Sequence, residues 1–450
     1  MKYPSFPQRI FSLAAFSLII LVVAACGGSS SGSAPSSSNK VTITYLTHWS
    51  GPQIDQLNQA IASFNKSEPN ITVKVQNVPF GNLLTTITTQ GGSASGPTIM
   101  GIYNLWMPQL VQDGIIAAAP EANTNDIQKA YPQSTVSAVQ VDGKTYGYPN
   151  EVDLYALNYN KALFQAAGIS DPPKTWKELS EDAKKLTKRD SSGKITQQGF
   201  GIITSWNSGV VHPWLSLLNS NGGQLLSTDH KPQLNSKAAQ ETADLYHQLI
   251  FVDKTTDPAM GQANASTTGP YLDNFANGKT AMVIMANWWE SNLKASMGDN
   301  FKNIATAPIP VGPSGDKAHS VSYSWSTVVN AHATPEQQTA SWKFLQWLNG
   351  SQSGKNNSSA MGDILLNMGI LPSRTSDLQA HQDQLTSPFI RTYVDQLQNS
   401  MPFPTVLGGD ELTTSLQKSL EAMDFGQSSP QQGLTQAQTN LSQILSQYYS

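Results

Sequence analysis

Cysteine, arginine and clustered charge are all scarce in this 450-residue chain. The single cysteine, Cys26, leaves no partner for an intramolecular disulfide. Arginine occurs only at Arg9, Arg189, Arg374 and Arg391, which argues against a ligand rich in phosphate or carboxylate, since such groups usually want a guanidinium fork. Charged residues make up 13% of the chain and its net charge is −4; no basic stripe and no run of like charge is present, so nucleic acid is not an expected partner. The seven histidines are scattered, without an H-E-x-x-H pair or a cysteine cluster, and no G-x-S-x-G stands between a strand and a helix as a nucleophile elbow requires. No metal, cofactor or catalytic nucleophile is therefore expected. Gly278-Lys279-Thr280 has the end of a phosphate loop but not its beginning: position 273, where that motif needs glycine, is Asp. There is no internal repeat.

What is present begins with a targeting segment. Lys2 and Arg9 precede a nearly continuous apolar run, Ile10 to Ala25, which is short for a membrane span and ends in small residues. Val23-Ala24-Ala25-Cys26 resembles a bacterial lipobox, in which the cysteine is acylated and becomes the first mature residue; the alternative is an uncleaved anchor with an incidental cysteine. Residues 26–39 form a Gly/Ser tether with no capacity to pack. Loss of residues 1–25 would remove Lys2 and Arg9, leaving 25 basic against 31 acidic residues, or −6. The rest is too long for one small core and suggests two lobes.

Val41 to Leu46 and Ile71 to Val75 alternate and are β-branched, so they read as strands. Ile54, Leu57, Ile61 and Phe64 recur at helical spacing between them, and Thr98 to Ile102 is a third, short strand. This alternation argues for a mostly parallel sheet with helices on both faces, where ligands bind beyond the carboxyl ends of the strands. Trp49, Asn104 and Trp106 lie at such ends. Further on, Asp142-Gly143 is a turn, and Tyr146 to Tyr159 is an extended apolar and aromatic run, broken by Pro149 and carrying Glu151 and Asp153. Thr175 caps a helix starting at Trp176, and Pro335 opens another through Leu348. Val321 to Asn330 reads as a single strand bearing Tyr323 and Trp325.

GKTYGYPNEVDLYALNYNK, followed by PPKTWKEL, resembles the crossover segment of extracellular solute-binding proteins of ABC importers, the family that includes the maltose-binding protein. FANGKTAMVIMANWW, residues 275–289, is the second family-like stretch, and Gly369 to Arg374 is similar to the family's third crossover. The resemblance implies an α/β, two-lobed periplasmic-binding-protein-like fold of type II, each lobe a mostly parallel sheet flanked by helices, with the ligand in the interlobe cleft. It implies a first lobe of residues 40–151 and 307–371 and a second of 152–306 and 372–450, joined by crossovers near Glu151, Thr306 and Pro372. Asp153 falls on the family's hydroxyl-binding carboxylate, and Trp288 on an aromatic that stacks on a sugar ring. Near the break before the C-terminal helices, where the family often has a ligand-facing aromatic, Val406-Leu407-Gly408-Gly409 offers none.

The tryptophans sharpen this. Trp176, Trp342 and Trp347 fall in helices and are most simply core, whereas Trp49, Trp106, Trp206, Trp214, Trp288, Trp289 and Trp325 lie at or near strand ends and loops. The apolar face of a pyranose suits a flat aromatic with hydrogen-bonding neighbours. The expected ligand-binding set is therefore Trp49, Asn104, Trp106, Asp153, Trp206, Trp214, Trp288, Tyr323 and Trp325, with Cys26 as the lipid attachment. The implied function is capture of a mono- or oligosaccharide and delivery to permease subunits by a monomer held at the bacterial surface or in the periplasm. A glycerol-phosphate receptor anchored at Arg374 is the alternative within the class. A surface glycan-processing enzyme using Glu151 and Asp153 is the alternative outside it, and an adhesin or sensor lectin without a permease a third.

Overall fold

The computed structural model describes residues 40–263 and 269–449. The export segment, Cys26 and the tether fall outside the described residues. Residues Lys40–Ser450 form one compact unit built around two sheets.

In the first sheet, strands Val41–Thr47, Ile71–Asn77 and Ile99–Tyr103 run parallel, with Val41–Thr47 in the middle of the three. Helices Pro52–Ser67 and Phe80–Gln90 make the crossovers, burying Leu57, Phe64, Leu83 and Ile87. Trp325–Val329 joins antiparallel to Ile99–Tyr103, and Gly147–Pro149 completes the edge. The alternation that marks these strands is thus the core-facing pattern of a covered sheet.

The second sheet is mixed. Its long strand Glu151–Asn160 is antiparallel to Thr280–Ala286, Ile304–Ala307, Val321–Tyr323 and Leu371–Pro372, while Ile195–Gly201 runs parallel to Thr280–Ala286. The mostly parallel arrangement therefore describes the first sheet better than the second, because the crossovers deliver chain to the second sheet from the opposite direction. Helices Asn207–Ser220, Lys237–His247, Gly409–Asp424 and Pro430–Leu445 pack together on this side.

Two extended runs change sheets midway, the first just after the break at Pro149 and the second with no break in its sequence. The extended run from Tyr146 divides at Asn150, and the run from Val321 divides at Ser324. Strand pairing thus puts the return to the first sheet at Ser324 rather than near Thr306. Ala307 still ends a strand of the second sheet, and Tyr323 pairs there with Asp153. Both switch points are clipped by asparagine. Asn150 donates its N–H to the Trp325 carbonyl at 2.9 Å and accepts from Thr327 Oγ1 at 3.2 Å. Asn104 Oδ1 accepts from the Ser324 N–H at 3.2 Å, while its own N–H reaches the Ser324 carbonyl at 3.0 Å. Ser373 adds a third clip by donating its N–H to the Asn150 carbonyl at 3.1 Å.

Strong local signals match the elements that form. Thr175 and Glu178 make a reciprocal capping box, as do Thr334 and Gln337 ahead of Pro335–Leu348. Asp142 and Gly143 both take positive φ, as a tight turn there requires. No helix among the described residues is long and apolar enough to cross a membrane.

Candidate functional site between the two sheets

A cavity of about 290 Å³ opens where strand ends of the two sheets face each other. From the first sheet it receives His48 and Trp49, just past Val41–Thr47, with Phe80, Tyr103 and Trp325. From the second it receives Glu151 and Asp153 on the long strand, Tyr323, Trp288 just past Thr280–Ala286, and Trp206. The rim carries small polar groups, among them Gln53, Ser208 and Asn292.

The aromatics form two walls. On one side Trp325 stacks on Tyr103 at 5.9 Å and 24°, with His48 4.4 Å away and Phe80 5.8 Å away. On the other, Trp288 lies 5.6 Å from Trp206 and 4.2 Å from Trp289, and its Nε1 donates to Tyr323 OH at 2.6 Å. Trp289 is 6% exposed, between Trp288 and Tyr271, whereas Trp288 is half-buried and so has more accessible surface. Beneath the floor, the buried His212 sits between Tyr103 OH at 3.0 Å and Tyr155 OH at 3.1 Å. Burial lowers its pKa to about 3 and that of His48 to about 4, so both rings are neutral near pH 7. A neutral imidazole donates through one nitrogen and accepts through the other, so one phenol donates to His212 and the other accepts from it.

Glu151 and Asp153 are two residues apart on one strand and so share a face. They are 3% and 1% exposed, and their carboxyl groups are in hydrogen-bond contact with each other. Burial raises both pKa values; the charge and hydrogen bond of Asp153 raise that of Glu151 further, while the hydrogen bond from Glu151 holds Asp153 back, so Glu151 keeps a proton that it shares with Asp153 near neutrality. Asp153 also meets Asn287, which moderates its rise. No ion pair among the described residues involves either carboxyl, and no Lys or Arg lines the cavity.

Of the expected ligand-binding residues, the fold brings Trp49, Asp153, Trp206, Trp288, Tyr323 and Trp325 to this cavity. It places three elsewhere. Trp214 is 1% exposed, in the interior of a helix that begins at Asn207 and runs through Pro213, with core on nearly every side. Asn104 is committed to Ser324 and, at 3.4 Å, to Thr405. Trp106 stands behind Phe80 and Trp325, its Nε1 donating to Asp410 at 3.2 Å. Sequence reasoning passed over His48 and Phe80, and assigned Glu151 no binding role. His48 adjoins Trp49 in the same strand-end loop, and Phe80 opens the helix just after the second strand, so position alone could have nominated both. Arg374 is away from the cavity, 3.5 Å from Asp126 and over the Tyr131 ring.

Two sheets that exchange strands at clipped crossovers, with an aromatic cavity between their ends, define a two-lobed binding protein. The profile of the bacterial extracellular solute-binding protein family matches residues 50–355, and the chain belongs to that family. It is 24% identical over 413 residues to a protein of Brucella abortus (strain 2308) named for binding without a ligand, covering 92% of this chain and 94% of that one. It is likewise 24% identical over 388 residues to the galactooligosaccharide-binding protein of Bacillus subtilis (strain 168), covering 85% and 84%. Its fold is similar to that of the GacH receptor of Streptomyces glaucescens, with a TM-score of 0.77 at 21% identity over 91% of this chain and 99% of that one.

Proposed function

We propose that this chain is the solute-binding lipoprotein of an ABC importer, closing its two lobes on a mono- or oligosaccharide and presenting it to membrane permease subunits. One observation carries the reading: flat aromatics from both sheets, with Asp153 and amide and hydroxyl groups beside them, converge on one cavity. Such walls match the apolar face of a sugar ring and such groups its hydroxyl rim. The galactooligosaccharide-binding relative supports the ligand class. The lobes divide at Asn150, Ser324 and Pro372, where few residues need to change φ and ψ for hinge closure. Anchoring at Cys26, a place on the bacterial surface or in the periplasm, and a monomeric state complete the proposal.

Two observations weigh against the alternatives. Carboxyls in mutual contact on one strand leave no room for a scissile bond, which hydrolases of this type place between groups about 5 Å or more apart, so the protein binds without turnover. A phosphate-bearing ligand would find no guanidinium, because Arg374 is 9% exposed and engaged with Asp126 and Tyr131. Isothermal titration of the purified full-length protein against mono- and oligosaccharides and glycerol-3-phosphate tests the reading. One-to-one micromolar binding of a saccharide without product release is expected. Response to the phosphate alone, or turnover of a chromogenic glycoside, would overturn it.

A further inference from the structure

We infer that the solute taken by this cavity carries a protonated amine, making it an amino-bearing saccharide rather than a neutral one. The inference rests on the carbohydrate reading above and narrows it. Its starting point is an imbalance at the cavity floor. Glu151 and Asp153 are both more than nine-tenths buried, yet neither has a basic partner among the described residues. Tyr103 OH is bonded to His212, and Tyr323 OH, which accepts from Trp288 Nε1, makes no hydrogen bond to Asp153 Oδ1. Asp153 Oδ1 is buried and receives no hydrogen bond from any N–H or hydroxyl. A buried carboxylate left in that state is costly, and buried charges are normally paired or bound to a cation.

The walls point the same way. Trp49, Trp288 and Trp325 line the cavity with Tyr323, and the face of an aromatic ring carries the negative end of its quadrupole. Aromatic rings lining a site that also holds a carboxylate favour an ammonium group, through the charge and through cation–π contact with a ring face. A neutral sugar would meet the single negative charge of the proton-sharing pair with hydroxyl donors alone and leave that charge uncompensated. An ammonium has three donors, enough for both carboxyls. The cations of the protein itself do not fill this role: Lys294 reaches Glu290 at 2.9 Å and Arg374 lies at Asp126.

The test is a matched set titrated into the full-length protein: glucosamine, galactosamine and mannosamine, each against its parent sugar and its N-acetyl form, with tetramethylammonium as a sugar-free cation. At least one amino sugar is expected to bind tenfold or more tighter than both neutral counterparts. Asp153→Asn and Glu151→Gln should each shrink that preference toward unity; the wild-type comparison needs no variant and stands even if these fold poorly. Equal or tighter binding of the neutral forms would overturn the inference while leaving the carbohydrate reading intact. Binding of tetramethylammonium with silence from every sugar would support the cationic site and overturn the amino-saccharide inference. Silence from the whole set would also overturn the inference, and the oligosaccharide titration above then decides the carbohydrate reading separately.

Discussion

Replacing Asp153 by Asn should change how stability depends on pH, and the direction follows from the site. In the folded protein burial raises the Asp153 pKa to about 7, and the Glu151 pKa is raised as well. In the unfolded chain both lie in the ordinary range near 4. The folded state therefore holds protons that the unfolded state has released between about pH 4 and 7. This stability is fully present below the unfolded pKa and is lost as pH rises through the folded one. For one group the slope approaches about 1.4 kcal/mol per pH unit within that window, or on the order of 4 kcal/mol in total for Asp153. The Asn variant cannot lose this proton, so its stability relative to the parent should rise steadily from pH 4 to 8. Urea melts of both proteins at half-unit pH intervals would measure the difference without ligand. A difference that stays constant across the range would refute the shared-proton account and imply that the pair is hydrated in solution.

Trp288→Ala should weaken saccharide binding by roughly 2 kcal/mol or more, read by titration, because it removes a ring facing the cavity and frees Tyr323 OH. Trp214→Ala, by contrast, should lower unfolding free energy by about 3–5 kcal/mol in denaturant melts and leave the affinity of the folded fraction near that of the parent. Arg374→Met should lower stability by about 1 kcal/mol, since Asp126 loses its cation but keeps the hydrogen bond from Tyr148 and Tyr131 loses its covering guanidinium, while titrated saccharide affinity stays within a few-fold. Thr175→Ala opens a capping box and should lower unfolding free energy by about 1 kcal/mol.

Chemistry written over a few neighbouring residues is legible in the sequence. Pro335 with Thr334, Thr175 with Glu178, and the period-two pattern of Val41–Thr47 each specify an element through contacts within a turn or a strand. The strand-end tryptophans follow from the same reasoning, since a parallel sheet puts its strand ends at the site. Trp214 misleads for the opposite reason. It follows Pro213, which looks like a helix start, but the helix begins six residues earlier at Asn207 and carries the ring into the interior. Asn104 misleads because an asparagine at a strand end serves a ligand or a backbone equally well, and only the position of Ser324 settles which.

Element types, their caps, the family and the concentration of aromatics and carboxyls around the crossovers are all set by residues close together along the chain. The points where the chain changes sheets are less so: Pro149 interrupts the first run beside Asn150, but Ser324 sits inside a run whose alternation is unbroken, and period two is the same in either sheet. Packing in three dimensions selects them. Packing also selects which rings share the cavity and leaves Glu151 and Asp153 sharing a proton away from any cation. Those properties depend on burial and on neighbours far apart in sequence, such as Tyr323 against Asp153, and no local pattern encodes such distances.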